Sequence, residues 1–424
     1  MKSSLVDLII YFITDSLFML FALAGGIISG PLIVSLGQRK TLLSVSPIMM
    51  GAWLIHSFSP NIMTLQISRT VIGFFQGITS FCVFSYTAEI SHSKFRSIFC
   101  ALIDVFSTLG VLFVFVIGGA TNLHWRDVAM VCAFPGTLIP FFLLLCVHDS
   151  PRWLAVQKRF DDAQKALKFF RGEKYDINSE LNHIKSQLEE NTNKDSVFVQ
   201  FKILIKDKSI QKRVLLLSYL LGTTNFTGNV VMVSYAVVIF KSMKSSLNAY
   251  SSAILIGICR VIAVVIYAST SNKIGRKNLA IFVSSMSTFT MFAIGLFVFL
   301  SESGHDMSVV FWLPPILTVV FVFCSSIYIS ITNLYRNELI PNSIRPVGGA
   351  CMSVTFYGFC FFILYFYQDI VDHIGLYGTF FLFGLNNLIN TIVSYLALPE
   401  TKGESLEEID DKFRINKTKI KEKF

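Results

Sequence analysis

A carboxylate and a guanidinium seven residues apart occur twice in this chain, as Glu89 and Arg96 in 86-YTAEISHSKFR-96 and as Glu338 and Arg345 in 338-ELIPNSIR-345. A short basic stretch also recurs, 37-GQRK-40 and 275-GRK-277, and so does an acidic–hydroxyl–basic turn, 149-DSPR-152 and 400-ETK-402. Charges of this kind can pair across an interface, and pairs that break and re-form can hold one mouth of a passage shut or release it. We therefore expect Arg39, Glu89, Arg96, Arg152, Arg276, Glu338, Arg345 and Glu400 to form an ion-pair gate between two halves of the molecule. Any one of them alone could equally be an interfacial charge that snorkels to water. Their repetition in one order favours the gate.

A second group consists of polar residues embedded in apolar sequence. Asp104 and Arg260 sit where hydrocarbon would penalise a charge, so both should face a watery cavity, and Arg69 is similar. Thr223, Thr224, Asn225, Thr227 and Asn229 surround Gly228, a hydrogen-bonding, glycine-broken stretch suited to a hydroxyl-rich ligand. We expect Thr224, Asn225, Thr227, Asn229, Asp104, Asn333 and Arg260 to contact a transported solute. The competing readings are helix–helix glue for the Thr/Asn set and a buried structural pair for Asp104 and Arg260. No phosphate-binding loop, His/Cys cluster or converging Ser/His/Asp set occurs, so neither enzymatic chemistry nor a cofactor or metal is expected. The eight Cys lie in apolar segments without CxxC spacing, and no disulfide is inferred.

The elements that must position these residues are membrane helices. Of 424 residues, 53% are hydrophobic, 41 are Phe and only 15% are charged, a balance that no water-soluble domain of this size tolerates. Hydropathy predicts eleven spans, near 16–36, 42–58, 62–86, 98–120, 127–147, 214–240, 248–270, 279–300, 309–334, 347–367 and 376–398. Basic residues concentrate in alternate connections, which places those connections, the central segment and the C-terminus in the cytoplasm. The net charge is +9; segment 148–213 holds 14 Lys and Arg against 10 Asp and Glu, and the tail 399–424 holds 7 of each. Anionic lipid headgroups account for that surplus better than nucleic acid does. The expected organisation is a bundle over 1–147, a cytoplasmic linker with amphipathic helices over 148–213, a six-helix bundle over 214–398 and a tail over 399–424. The N-terminus shows no cleavable signal. Two spans precede GRK in the second half but one precedes GQRK in the first, so a first helix is expected to be missing. Residues 5–13 are then an interfacial remnant or a tilted extension of the first span.

These motifs resemble the sugar porter family of the major facilitator superfamily, and within it the insect facilitated trehalose transporters. The resemblance runs from about Ser16 to Phe413 and rests on 25-GGIISGPL-32 leading into GQRK, Arg69 with Gly73 and Gly77, and 86-YTAEISHSKFR-96. It continues through 150-SPRWL-154, 166-ALKFFRG-172, 275-GRK-277, 338-ELIPNSIR-345 and 398-LPETKGESLEEI-409. It implies an all-α fold of two six-helix bundles around a central cavity, and trehalose or a hexose as cargo, moved by facilitated diffusion or proton coupling. The family's paired seventh-helix glutamines fall at Thr224 and Asn225, its Ser-Gly is kept as Thr227-Gly228, and its following Asn is Val230. Its tenth-helix aromatic is Asn333 and its fifth-helix glutamine is Asp104. The expected protein is a monomeric plasma-membrane sugar transporter working by alternating access. An organic-ion transporter of the same fold and a non-transporting or truncated product are the alternatives.

Overall fold

A computed structural model describes residues 2–92, 96–121, 123–172, 175–191, 197–235, 239, 249–270, 274–310, 312–340 and 344–402. The tail from 403 onward and the side chains of Arg96 and Arg345 lie outside the described residues. Among the described residues the regular secondary structure is all helical, which follows from hydrocarbon: a spanning segment must satisfy its backbone polar groups internally.

The first half comprises α1 (Lys2–Leu36), α2 (Gln38–Ser57), α3 (Ile62–Ile90), α4 (Arg96–Ala120) and α5 (Trp125–Leu145). Residues 5–13 continue α1 without a break. The start of α3 is fixed by Asn61, whose side chain accepts from the Thr64 backbone N–H at 2.8 Å. Pro135 and Pro140 remove backbone donors within α5, which passes through one π turn at Phe134–Leu138. Four short helices follow: α6 (Pro151–Val156), α7 (Phe160–Arg171), α8 (Ile177–Asn191) and α9 (Val197–Lys206). The second half comprises α10 (Lys208–Ser234), α11 (Ala249–Thr270), α12 (Arg276–Glu302), α13 (Leu313–Leu339) and α14 (Arg345–Ala397).

Nine described helices are long and apolar enough to span, counting α14 as one. Gly375, at φ 74°, divides α14 into two limbs, and α2, 20 residues long, is not among the nine, so the expected eleven is matched approximately.

Within the first half, α1 and α3 approach so closely that only glycine fits at their crossing. A Cβ on Gly77 would lie 2.0 Å from the Ala22 carbonyl oxygen, and one on Gly25 would lie 1.9 Å from that of Phe74. Two seams join the halves, α1 against the first limb of α14 and α4 against α11. The second half has two core clusters, one built on Met232, Tyr235, Phe321, Phe380 and Phe383 and the other on Leu217, Ile331 and Tyr335. Phe106, Phe282, Phe289 and Leu396 point outward, as lipid-facing residues must.

The helices α6–α8 make their own small core from Leu154, Ala163, Ala166, Leu167 and Leu181. This unit is fastened to the first half. Trp153 Nε1 donates to the Val34 carbonyl at 3.2 Å and its ring lies against Gly37, while Arg171 Nη1 donates to the Ile90 carbonyl at 2.6 Å and its other nitrogens pair with Glu180.

Candidate functional site

The turns after α1, α3, α5, α11, α13 and α14 meet at one end of the bundle, called here the basic end. In the first half, Arg39 Nε donates to the Leu144 carbonyl at 2.9 Å and its guanidinium lies 3.7 Å from the Asp149 carboxylate. The Ser150 hydroxyl donates to Glu89, and the Tyr86 hydroxyl donates to the His148 carbonyl at 2.5 Å. The second half repeats the scheme. Arg276 donates to Glu338 and, at 2.9 Å, to the Thr401 hydroxyl, while the backbone N–H groups of Arg276 and Lys277 donate to Glu400 at 3.0 and 3.1 Å. Tyr335 donates to the Pro399 carbonyl at 2.8 Å.

The described partners of Arg39, Glu89, Arg276, Glu338 and Glu400 thus all belong to the residue's own half. Each set ties the helix that carries the Tyr–x–x–Glu to the turn that closes the same half. Arg152 is half-buried at the start of α6.

Midway along α10 the helix opens at Phe226–Gly228, with Gly228 left-handed at φ 96°. A side chain would be strained in that conformation, and a Cβ there would meet the Phe383 ring at 2.9 Å. Thr224, Asn225, Thr227 and Asn229 around the break are all buried. Thr224 and Thr227 donate to carbonyls of their own helix, and Asn229 Nδ2 donates to Ser325 Oγ on α13 at 2.6 Å. Asn225 Nδ2 donates to the Leu221 and Phe356 carbonyls, whereas its Oδ1 is buried with no donor among the described residues. The second limb of α14 repairs the opened backbone, with Asn386 donating to the Thr223 carbonyl and Asn387 to the Thr227 carbonyl, both at 3.0 Å.

The remaining candidates meet where the halves touch. Asn333 Nδ2 on α13 donates to Asp104 Oδ1 on α4 at 3.2 Å. Ser330 on the same face of α13 lies close to Asp104, and Arg336 and Arg260 both act on it electrostatically. The Arg336 guanidinium stacks 4.4 Å from the Phe84 ring of α3, and nearby Ser80 and Tyr357 share a hydrogen bond of 2.8 Å between α3 and α14. Arg69 stands apart, near the opposite end, 3.8 Å from Asp15.

Comparison with known proteins places this geometry. The family model "Sugar (and other) transporter" matches residues 7–413. The chain belongs to that family. A facilitated trehalose transporter of Apis mellifera ligustica is 30% identical over 94% of this chain and 78% of its own length. The counterpart from Aedes aegypti is 30% identical over 93% of this chain, which spans only 48% of that longer protein. Among solved structures, the proton:xylose symporter XylE bound to 6-bromo-6-deoxy-D-glucose superposes with a TM-score of 0.80 at 20% identity, over 97% of this chain and 90% of that one. The inward-open form of XylE from E. coli gives 0.71 at 18% identity, over 95% and 89%. The fold is that of the major facilitator superfamily, a multi-pass membrane protein of two helical bundles.

Within this sugar-transporter fold, reasoning from sequence missed three participants. Tyr86 and Tyr335 were detectable, since each precedes its glutamate by three residues. Arg336 was visible as a loop-end cation, but its stacking on Phe84 across the interface left no trace in spacing.

Proposed function

We propose that this chain carries a small polyhydroxylated solute, a sugar such as trehalose or a hexose, across the plasma membrane by alternating access of its two halves. The observation that carries the site assignment is Asn225 Oδ1, a buried acceptor with no donor among the described residues, beside the glycine break of α10. An unpaired buried acceptor costs about 1–3 kcal/mol, and a cargo hydroxyl would relieve that cost. Thr224, Thr227 and Asn229 shape the same segment, and Asp104, Asn333 and Arg260 form the part of the path between the halves. The basic end faces the cytoplasm, as the positive-inside rule requires, with the linker and the C-terminus on that side. There Arg39, Glu89, Arg96, Arg152, Arg276, Glu338, Arg345 and Glu400 form the gate, each half's set holding its own turns in the closing shape. The functional division runs at 148–213, between a bundle over 1–147 and one over 214–398, with 399–424 as tail. The working unit is a monomer surrounded by lipid, with no enzymatic step. Counterflow of labelled trehalose and glucose in proteoliposomes tests the cargo: transient accumulation is expected, and no exchange with any sugar would remove the assignment.

One observation favours an organic ion as the alternative cargo. Two guanidinium groups, Arg260 and Arg336, act on the single carboxylate of Asp104, and the buried Nε of Arg260 has no acceptor among the described residues. Uptake that depends on solute charge and disappears in Arg260→Ala would support that reading.

A further inference from the structure

Asp104 belongs to the first half, and every described group that compensates it belongs to the second. Ser330, Asn333 and Arg336 recur at three-residue spacing on α13 and so share one face of that helix, and Arg260 comes from α11. Asp104 lies about 12 Å along α4 from Arg96, at roughly 1.5 Å per residue, well inside the apolar zone. Arg336 is held from the other side by the Phe84 ring, again a first-half residue, and it also acts on Tyr357, which is bonded to Ser80. A carboxylate so placed is tolerable only while its cationic and hydrogen-bonding partners are close. Any rocking motion that parts the halves at the basic end separates Asp104 from Asn333, Ser330, Arg336 and Arg260 together, and Arg336 from Phe84.

We infer that Asp104 and Arg336, with Asn333 and Phe84, are an inter-half latch that holds the basic end shut, and that cargo opens the passage by replacing the second half as the donor to Asp104. The latch itself follows from the contacts; the cargo step rests on the reading of the solute as hydroxyl-rich. Sugar hydroxyls would donate to Asp104 in the manner of Asn333, so the carboxylate keeps a hydrogen-bond donor as the halves part. Without cargo, nothing replaces that donor, and the empty carrier reorients slowly. Arg336 is thus a positioning residue, acting on transport through Asp104 and Phe84 rather than by touching the solute.

Spin labels on Lys40→Cys and Ile274→Cys, both exposed at the basic end and one from each half, read the latch directly, with the exposed Cys146 replaced by Ser. In reconstituted full-length protein without cargo, Arg336→Met should raise the ratio of long-distance to short-distance populations roughly tenfold or more. Phe84→Leu leaves every buried charge compensated and should shift the same ratio in the same direction, which keeps the test open if Arg336→Met does not fold. Unchanged distances in the folded variants would overturn the latch. In the transport arm, the ratio of equilibrium exchange to net uptake should fall toward one in the same variants, because the return of the empty carrier is no longer limiting. A ratio that stays at the wild-type value while the distances shift would overturn the cargo step. If wild type exchanges no sugar at all, the cargo assignment fails, and the distances still decide the latch.

Discussion

Tyr86 and Tyr335 occupy equivalent places in the two halves: each donates its phenol to the backbone carbonyl that opens an acidic turn, His148 at 2.5 Å and Pro399 at 2.8 Å. Each also stands one helical turn before a glutamate that binds the hydroxyl residue of that turn or shares a partner with it, Glu89 with Ser150 and Glu338 with Thr401 through Arg276. The internal repeat is therefore a repeat of hydrogen-bond chemistry as well as of helix order.

The Arg276–Glu338 pair should matter far more to stability than surface pairs do. Its side chains are 9% and 16% exposed, against 49% and 41% for Arg159 and Asp162. Arg276→Ala strands a poorly solvated carboxylate and should cost about 3–5 kcal/mol. Arg159→Ala should cost less than about 1 kcal/mol. Unfolding in detergent compares the two, and equal losses would contradict the assignment.

Glycine at the α1–α3 crossing is a steric requirement. Gly77→Ala should lower the melting temperature sharply or prevent folding, since its methyl would meet the Ala22 carbonyl at 2.0 Å. Gly110→Ala, with no atom within 4 Å of the added Cβ, should leave thermal stability unchanged or slightly improved.

Asn225→Ala and Asn387→Ala should separate binding from scaffold. Loss of the free acceptor of Asn225 should raise the half-saturating sugar concentration about tenfold, the equivalent of one hydrogen bond, in counterflow assays. Asn387→Ala leaves the Thr227 carbonyl without its donor and should reduce stability by about 1–2 kcal/mol with little effect on half-saturation. The reverse pattern would exchange the two roles.

Gly228→Ala should destabilise by about 1–2 kcal/mol from the left-handed conformation alone. Its contact with Phe383 adds to that cost, so a melting temperature equal to wild type would refute the strain argument.

The positions of the spans were legible because hydrocarbon thickness sets their length and the turns between them are charged. The doubled architecture was legible because Glu89 and Arg96 repeat as Glu338 and Arg345 in the same order. Which charges pair was not: spacing shows that a motif recurs, whereas partnership depends on how each helix is rotated. Arg336 illustrates the point, since its position in sequence marks it as a helix-end cation and only the folded chain puts Phe84 of α3 beneath its guanidinium. The polar run around Gly228 was recognised, yet its split between residues that mend the helix and the free oxygen of Asn225 required Asn386 and Asn387, more than 150 residues away.

The anchoring of α6–α8 through Trp153 and Arg171 has a practical corollary. An antibody fragment raised against α7 would travel with one bundle and leave the other unencumbered. In single-particle images it would serve as a fixed beacon, against which the sway of α10–α14 could be measured frame by frame.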